Sequence, residues 1–199
     1  MTFVNMDAPG LVILPTHRVV FGLENFSIFE TVAKLQANFE VEDVGPLADI
    51  ESALERLRQA GADRTALLAV TLHGGFLLRS RPTMQWTGAA GLLERQRALD
   101  VMQLHKLALE GALGLSEEDI RDQKHLRYVR DAREAVNQVR EGANVAFLMN
   151  PVRMEQLRDI AFGGGVMPQK STDFYPKLLS GLVAYSLEEA AQSLTVGRR

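Results

Sequence analysis

Apolar residues along this chain alternate between two rhythms, short continuous runs and runs with helical spacing. Leu11-Val12-Ile13-Leu14, stopped by Pro15, predicts a short buried strand. A second run, Val19-Val20-Phe21, stops at Gly22, and the polar Pro15-Thr16-His17-Arg18 separates the two. Ser27 is placed to cap a helix reaching about Gln36, with Ile28, Val32 and Leu35 on one face. Residues 39–44 read as a strand. Asp49 caps a clearer helix, in which Ile50, Ala53, Leu54 and Leu57 recur at helical spacing until Gly61 closes it. The apolar runs 65–72 and 76–79 flank His73-Gly74-Gly75 and predict a hairpin. Residues 83–90, which hold the one tryptophan, Trp86, read as a loop.

The second half alternates more regularly. Residues 99–113 predict a helix ended by Gly114, and 126–129 a strand. Asp131-Ala132-Arg133-Glu134 has capping-box spacing and starts a helix to about Arg140. The run 145–149 predicts a strand, followed at once by Asn150-Pro151. Asn at the cap and Pro at the first helical position predict a helix over 152–160. A polar stretch follows Gly163-Gly164-Gly165 as far as Pro176; beyond it, 178–185 predict a strand and 187–194 a terminal helix. This alternation predicts an α/β protein, a mixed sheet covered by helices in a single unit over 1–199.

Composition narrows the function classes. Twenty-two Lys and Arg against 25 Asp and Glu give a net charge of -3, so no global basic field recruits nucleic acid. Cysteine is absent, which excludes disulfides and thiolate zinc sites and fits a reducing compartment. No apolar run approaches the ~20 residues of a membrane-spanning helix, and residues 1–7 lack the basic and apolar regions of a secretory signal. A cytoplasmic protein with no membrane partner is expected.

Several polar constellations could carry chemistry. The stretch 167–177 combines Gln169, Lys170, Ser171, Thr172 and Lys177 with two prolines. Ammonium and hydroxyl donors on a stiffened backbone suit phosphate or carboxylate oxygens; a rigid surface loop is the plainer alternative. Lys170-Ser171 is not a Walker A loop, because Gln169 stands where that motif needs Gly and Phe174-Tyr175-Pro176 blocks the helix that must follow. Thr16, His17 and Arg18 offer a hydroxyl, an imidazole and a guanidinium, or simply a polar turn. Asn150 and Arg153 open a helix straight after a strand, where α/β proteins commonly bind anions; Asn150 as a mere cap is the alternative. His105 reads as a half-buried histidine that satisfies its own hydrogen bonds, Asp131 as a structural cap and His73-Gly74-Gly75 as a turn. The four histidines, at 17, 73, 105 and 125, show no metal-ligand spacing, so no protein metal cage is expected.

The runs Pro9 through Arg18, Leu99-Asp100-Val101 with Leu104-His105-Lys106, Tyr128-Val129-Arg130-Asp131-Ala132, Phe147-Leu148-Met149-Asn150-Pro151 and 167–177 resemble, in the same order, a bacterial and archaeal family known as domain of unknown function 1015. The resemblance implies a family protein about twice this long. This chain would be its C-terminal half, entering inside a strand at 2–5, as an engineered fragment or a truncated reading frame. It also implies a loose association with phosphorylation of free serine. Three departures from the family pattern bear on anion affinity: Val152 after Asn-Pro, Asp173 beside the two lysines, and the triple glycine 163–165.

The expectation is therefore a small-metabolite phosphotransferase, a kinase acting on an amino-acid hydroxyl. Lys170 and Lys177 would neutralise the transferring phosphoryl group, with Arg18 and Arg153 as further clamps. Thr16, Ser171 and Thr172 would bind phosphate oxygens, with Asn150 and Gln169 beside them. His17 would orient or deprotonate the acceptor. A phosphate donor, nucleotide or pyrophosphate, would bring Mg²⁺ with it. The implied partners are an anionic small molecule and either the missing half or a second copy of the chain. The alternative is a non-catalytic module that senses a phosphorylated metabolite; a nucleic-acid-binding protein is disfavoured by charge.

Overall fold

The computed structural model describes residues 5–7, 10–84, 86 and 91–177. Eight strands run β1 Val12–Leu14, β2 His17–Val20, β3 Phe39–Gly45, β4 Ala66–Thr71, β5 Gly74–Ser80, β6 Leu126–Val129, β7 Val145–Met149 and β8 Asp173–Tyr175. The helices are α1 Ile28–Leu35, α2 Ile50–Ala60, α3 Glu94–Arg97, α4 Asp100–Gln103, a π-helix Leu104–Ala112, α5 Glu117–Arg121, α6 Ala132–Arg140 and α7 Met154–Phe162. The strand expected at 2–5 lies almost wholly outside the described residues, as do the elements expected at 178–185 and 187–194 and most of the loop 83–90.

Six strands form one sheet in the order β3-β5-β4-β7-β2-β6. The α/β class and the helix-covered sheet are as expected; in detail, each of its pairings is antiparallel. Alternation of helix and strand does not by itself set strand direction. Because strand side chains alternate between faces, the sheet buries two apolar layers. Val20, Leu67, Phe147 and Met149 pack on one face with Leu35, Leu104 and Ile160. Val19, Leu68, Ala146 and Leu148 pack on the other with α2 and α6 through Leu57, Ala135 and Val139.

Local chemistry starts and stops these elements. Ser27 Oγ accepts from Glu30 N at 3.4 Å, Asp49 caps α2 through the N–H groups of Glu51 and Ser52, and Asp131 caps α6 through those of Arg133 and Glu134. The helix expected over 99–113 is present but divided, its second part wound as a π-helix with Leu113 N bonded to Ala108 O at 2.9 Å.

Two expectations at strand ends are corrected. β1 is buried only in part: Ile13 is buried but Val12 is exposed, and β1 forms a separate antiparallel ribbon with β8, pairing Leu14 with Asp173. The helix expected over 152–160 begins later, with Arg153 at the cap and α7 starting at Met154. Asn150 does not cap it, because its Nδ2 donates to Leu57 O at 3.1 Å, at the end of α2.

Candidate functional site

Strand β2 carries two polar residues where the sequence suggests a turn. His17 and Arg18 are within the strand and are 2% and 1% exposed. Neighbours in a strand face opposite ways, so they belong to different layers. Arg18 shares its parity with Val20 and enters the layer under the π-helix. Its guanidinium donates to Thr16 O, to Lys170 O at 3.1 Å and to Met149 Sδ at 3.4 Å. The cation also stands over the Tyr128 ring, 5.1 Å from its centre. Among the described residues Arg18 has no carboxylate within ion-pair distance, and its Nε is buried without a partner.

Burial lowers the Arg18 pKa to about 10, against the opposing influence of Tyr128. The group stays cationic at neutral pH. The shift from 12.5 nonetheless corresponds to about 3 kcal/mol set against the charge.

Arg18, Thr16, Asn150 and Ser171 line one small cavity, together with Asp100 and Gln156. Its free volume is about 20 Å³, room for roughly one water molecule. The β1–β8 ribbon makes this convergence possible by drawing residues 170–173 against residues 14–18. Lys170 takes a left-handed conformation, φ 57°, which turns its carbonyl to the Arg18 guanidinium. Ser171 donates its hydroxyl to Pro168 O at 2.6 Å, so it can offer a ligand only an acceptor.

His17 lies on the opposite face, beside a second cavity lined by Asn150, Arg130 and Asp131. Its Nδ1 accepts from Met149 N at 3.1 Å. That bond puts the ring proton on Nε2 and leaves no nitrogen lone pair to take another. Burial, then Arg18, lower its pKa to about 4, with Asp131 opposing. His17 is therefore a neutral imidazole with one N–H to donate near neutral pH, an arrangement that does not favour the expected role as a base.

The other expected residues scatter. Gln169 and Lys170 are exposed, Thr172 is half-buried, and none of the three side chains lines a described cavity. Lys177 forms an ion pair with Asp173, which also holds Arg130. These two cations keep the Asp173 carboxyl below its usual range, Lys177 first. The departure at 173 thus removes Lys177 from service as a free clamp. Arg153 lines a third, larger cavity, which Asp100 also lines. His105 does not satisfy its own hydrogen bonds: its Nε2 is buried with no partner among the described residues. Burial, then Arg18 and Lys106, hold its pKa down to about 3.

Sequence reasoning missed Asp100 as a site residue. It lines both the Arg18 cavity and the larger one. Burial raises its pKa to about 6, against the influence of the Thr65 hydroxyl and Arg153. In sequence Asp100 is an acid in a first helical turn, which the helix dipole alone explains. Its inclusion in the Leu99-Asp100-Val101 run was the one available signal. No three ligating side chains cluster as a metal cage among the described residues.

Fold and site together define a helix-covered antiparallel α/β protein with an arginine buried at the end of an inner strand and, among the described residues, no ion-pair partner for it. The chain belongs to the family described as protein of unknown function (DUF1015), whose profile matches residues 1–102. No curated protein matches it. Two solved structures are similar. One, a conserved hypothetical protein from Pyrococcus furiosus, has a TM-score of 0.47 and 14% identity over 86% of this chain and 59% of its own. The other, a mutant free serine kinase in complex with ADP, has a TM-score of 0.46 and 15% identity over 86% of this chain and 56% of its own. This chain thus spans a little over half the length of each. Among the described residues, no helix is long and apolar enough to cross a membrane.

Proposed function

We propose that the Arg18 cavity is an anion site and that the protein handles a phosphate-bearing small molecule, as part of a cytoplasmic phosphotransferase acting on a metabolite hydroxyl such as that of free serine. The observation that carries this reading is the Arg18 guanidinium, 1% exposed and with no carboxylate partner among the described residues. A buried cation with no counter-ion is costly. The carbonyls of Thr16 and Lys170 and the Tyr128 ring stabilise it only in part. An arriving oxyanion would recover much of the roughly 3 kcal/mol set against the charge, about two orders of magnitude in affinity.

Thr16 and Asn150 line the same cavity and add neutral polar groups. The cavity holds about one water as it stands, room for a single oxygen of an anion whose remaining atoms would lie outside it. A phosphate donor would bring its own Mg²⁺, held chiefly by phosphate oxygens and water, with Asp100 the nearest carboxylate on the cavity wall. The occupied Nδ1 of His17 favours one alternative, a binding module without turnover, since the expected base cannot accept a proton in this state.

Calorimetric and ³¹P titrations with phosphate, pyrophosphate and ADP test the site. We expect saturable binding that Arg18→Met weakens by about a hundredfold, with Arg18→Lys in between. Absence of binding, or equal binding by folded Arg18→Met, would remove the anion site. Incubating a phosphoanhydride donor with serine then separates enzyme from module.

A further inference from the structure

Asp100 and Gln156 line two cavities. The larger is a space of about 630 Å³, which none of the residues in the anion reading explains except Arg153. Helix α4 places Asp100 and Gln103 three residues apart, on one helical face, and both line this space.

Gln103 is 2% exposed. Its Nε2 donates to Arg97 O at 3.2 Å, which orients the amide, and its Oε1 is left buried with no partner among the described residues. Thr65, 4% exposed, lines the same space, and its Oγ1 likewise closes no hydrogen bond within normal distance. Trp86 supplies an aromatic wall. The Arg97 guanidinium carbon is 5.9 Å from the centre of that ring.

These groups share one chemical demand. Gln103 Oε1 and the Asp100 carboxylate are acceptors, and Thr65 Oγ can accept as well. A buried acceptor that has given up water needs a donor in return. The ligand must therefore bring polarised O–H or N–H bonds. Arg64, Arg97 and Arg153 are matched on the same walls by Asp63, Glu94 and Asp100, so the lining suits a neutral or zwitterionic ligand rather than a lone charge of either sign. A hydroxyl group meets both conditions.

We infer that this cavity is a second ligand site, which receives a small neutral or zwitterionic hydroxy compound through its hydroxyl, held by Asp100 and Gln103 against the Trp86 wall. Read with the phosphotransferase proposal, on which only this step rests, the hydroxyl bound at Asp100, a residue common to both cavities, is the phosphoryl acceptor.

Trp86 is the only tryptophan in the chain, so its fluorescence reports on this cavity. Glycerol and L-serine serve as probes, with L-alanine as the compound matched to serine and lacking the hydroxyl. The expected result is a saturable change in Trp86 emission with the hydroxylated probes and weaker binding of the control by about tenfold, the worth of one hydrogen bond. Gln103→Leu and Asp100→Asn should each weaken the hydroxylated probes by a similar factor. No saturable change at concentrations reaching tens of millimolar, or equal binding of L-serine and L-alanine, overturns the inference. Should a variant fail to fold, as judged by circular dichroism, the probe-against-control comparison on the unmodified chain decides alone. Hydroxyl binding without phosphate binding leaves this site standing and removes the phosphotransferase reading; phosphate binding without hydroxyl binding removes this site only.

Discussion

Lys170 shows how one side chain can be right in kind and wrong in place. Its sequence context reads as a phosphate-binding lysine, and its ammonium is exposed; what reaches the buried site is its backbone carbonyl, accepted into the Arg18 hydrogen-bond set at 3.1 Å. The left-handed φ of 57° that aims this carbonyl is strained for a residue with a side chain. Lys170→Gly should therefore keep the carbonyl in place and raise stability by up to about 1 kcal/mol. Chemical denaturation measures that change. A parallel phosphate titration isolates the ammonium: unchanged affinity would assign Lys170 a purely structural part. Arg18 was legible as a candidate anion-binding residue by type. Its burial was not, because a polar residue in a short strand looks like a turn until the helix covering it is known.

Among elements, those with their signals in adjacent residues were legible. Ser27, Asp49 and Asp131 cap helices where the sequence puts caps. Asn150 failed because its signal competes with a distant partner: its Nδ2 finds Leu57 O, so α7 starts three residues beyond Pro151. Gly61 makes that alternative possible, since a Cβ there would run into the Asn150 side chain. The Gly61 φ of -91° is open to alanine, so backbone conformation adds no penalty of its own. Gly61→Ala should displace Asn150, break its bond to α2 and cost about 1–3 kcal/mol. Thermal melts test this; an unchanged midpoint would show that Asn150 yields freely. The π-helix was legible only as a helix, because the apolar spacing at 104, 107, 108, 109 and 112 does not separate a wide winding from an ordinary one.

For the whole molecule, class and covering helices followed from alternation, whereas the β1–β8 ribbon did not: two three-residue strands over 150 residues apart carry no mutual signal. That ribbon brings half of the site together. Buried titrating groups also couple the site to global stability. His17 and His105 protonate near pH 4 and 3 when folded and near 6.5 when unfolded, so each removes stability as pH falls below about 6.5. Asp100 acts in the opposite sense, since its folded pKa of about 6 lies above the ordinary 3.8 and folding favours its protonated form as pH falls. Between about pH 6 and pH 5, above the range where Glu117, Asp119 and Asp173 begin to contribute, the balance of these three groups is one proton, a loss of about 1.4 kcal/mol per pH unit. Urea midpoints at several pH values should show that slope. It should steepen towards two protons in Asp100→Asn and flatten towards none in His17→Gln. A slope unaltered by either substitution would mean that these groups are not desolvated as described.

The neighbouring His17 and Arg18 impose a constraint on how this protein can change. Because they occupy consecutive places in a pleated strand, inserting or deleting one residue ahead of them would exchange their compartments, turning the imidazole under the π-helix and the guanidinium towards α6. Descendants of this chain can vary each residue in place, but length changes between Leu14 and His17 are closed to them unless both pockets are rebuilt together.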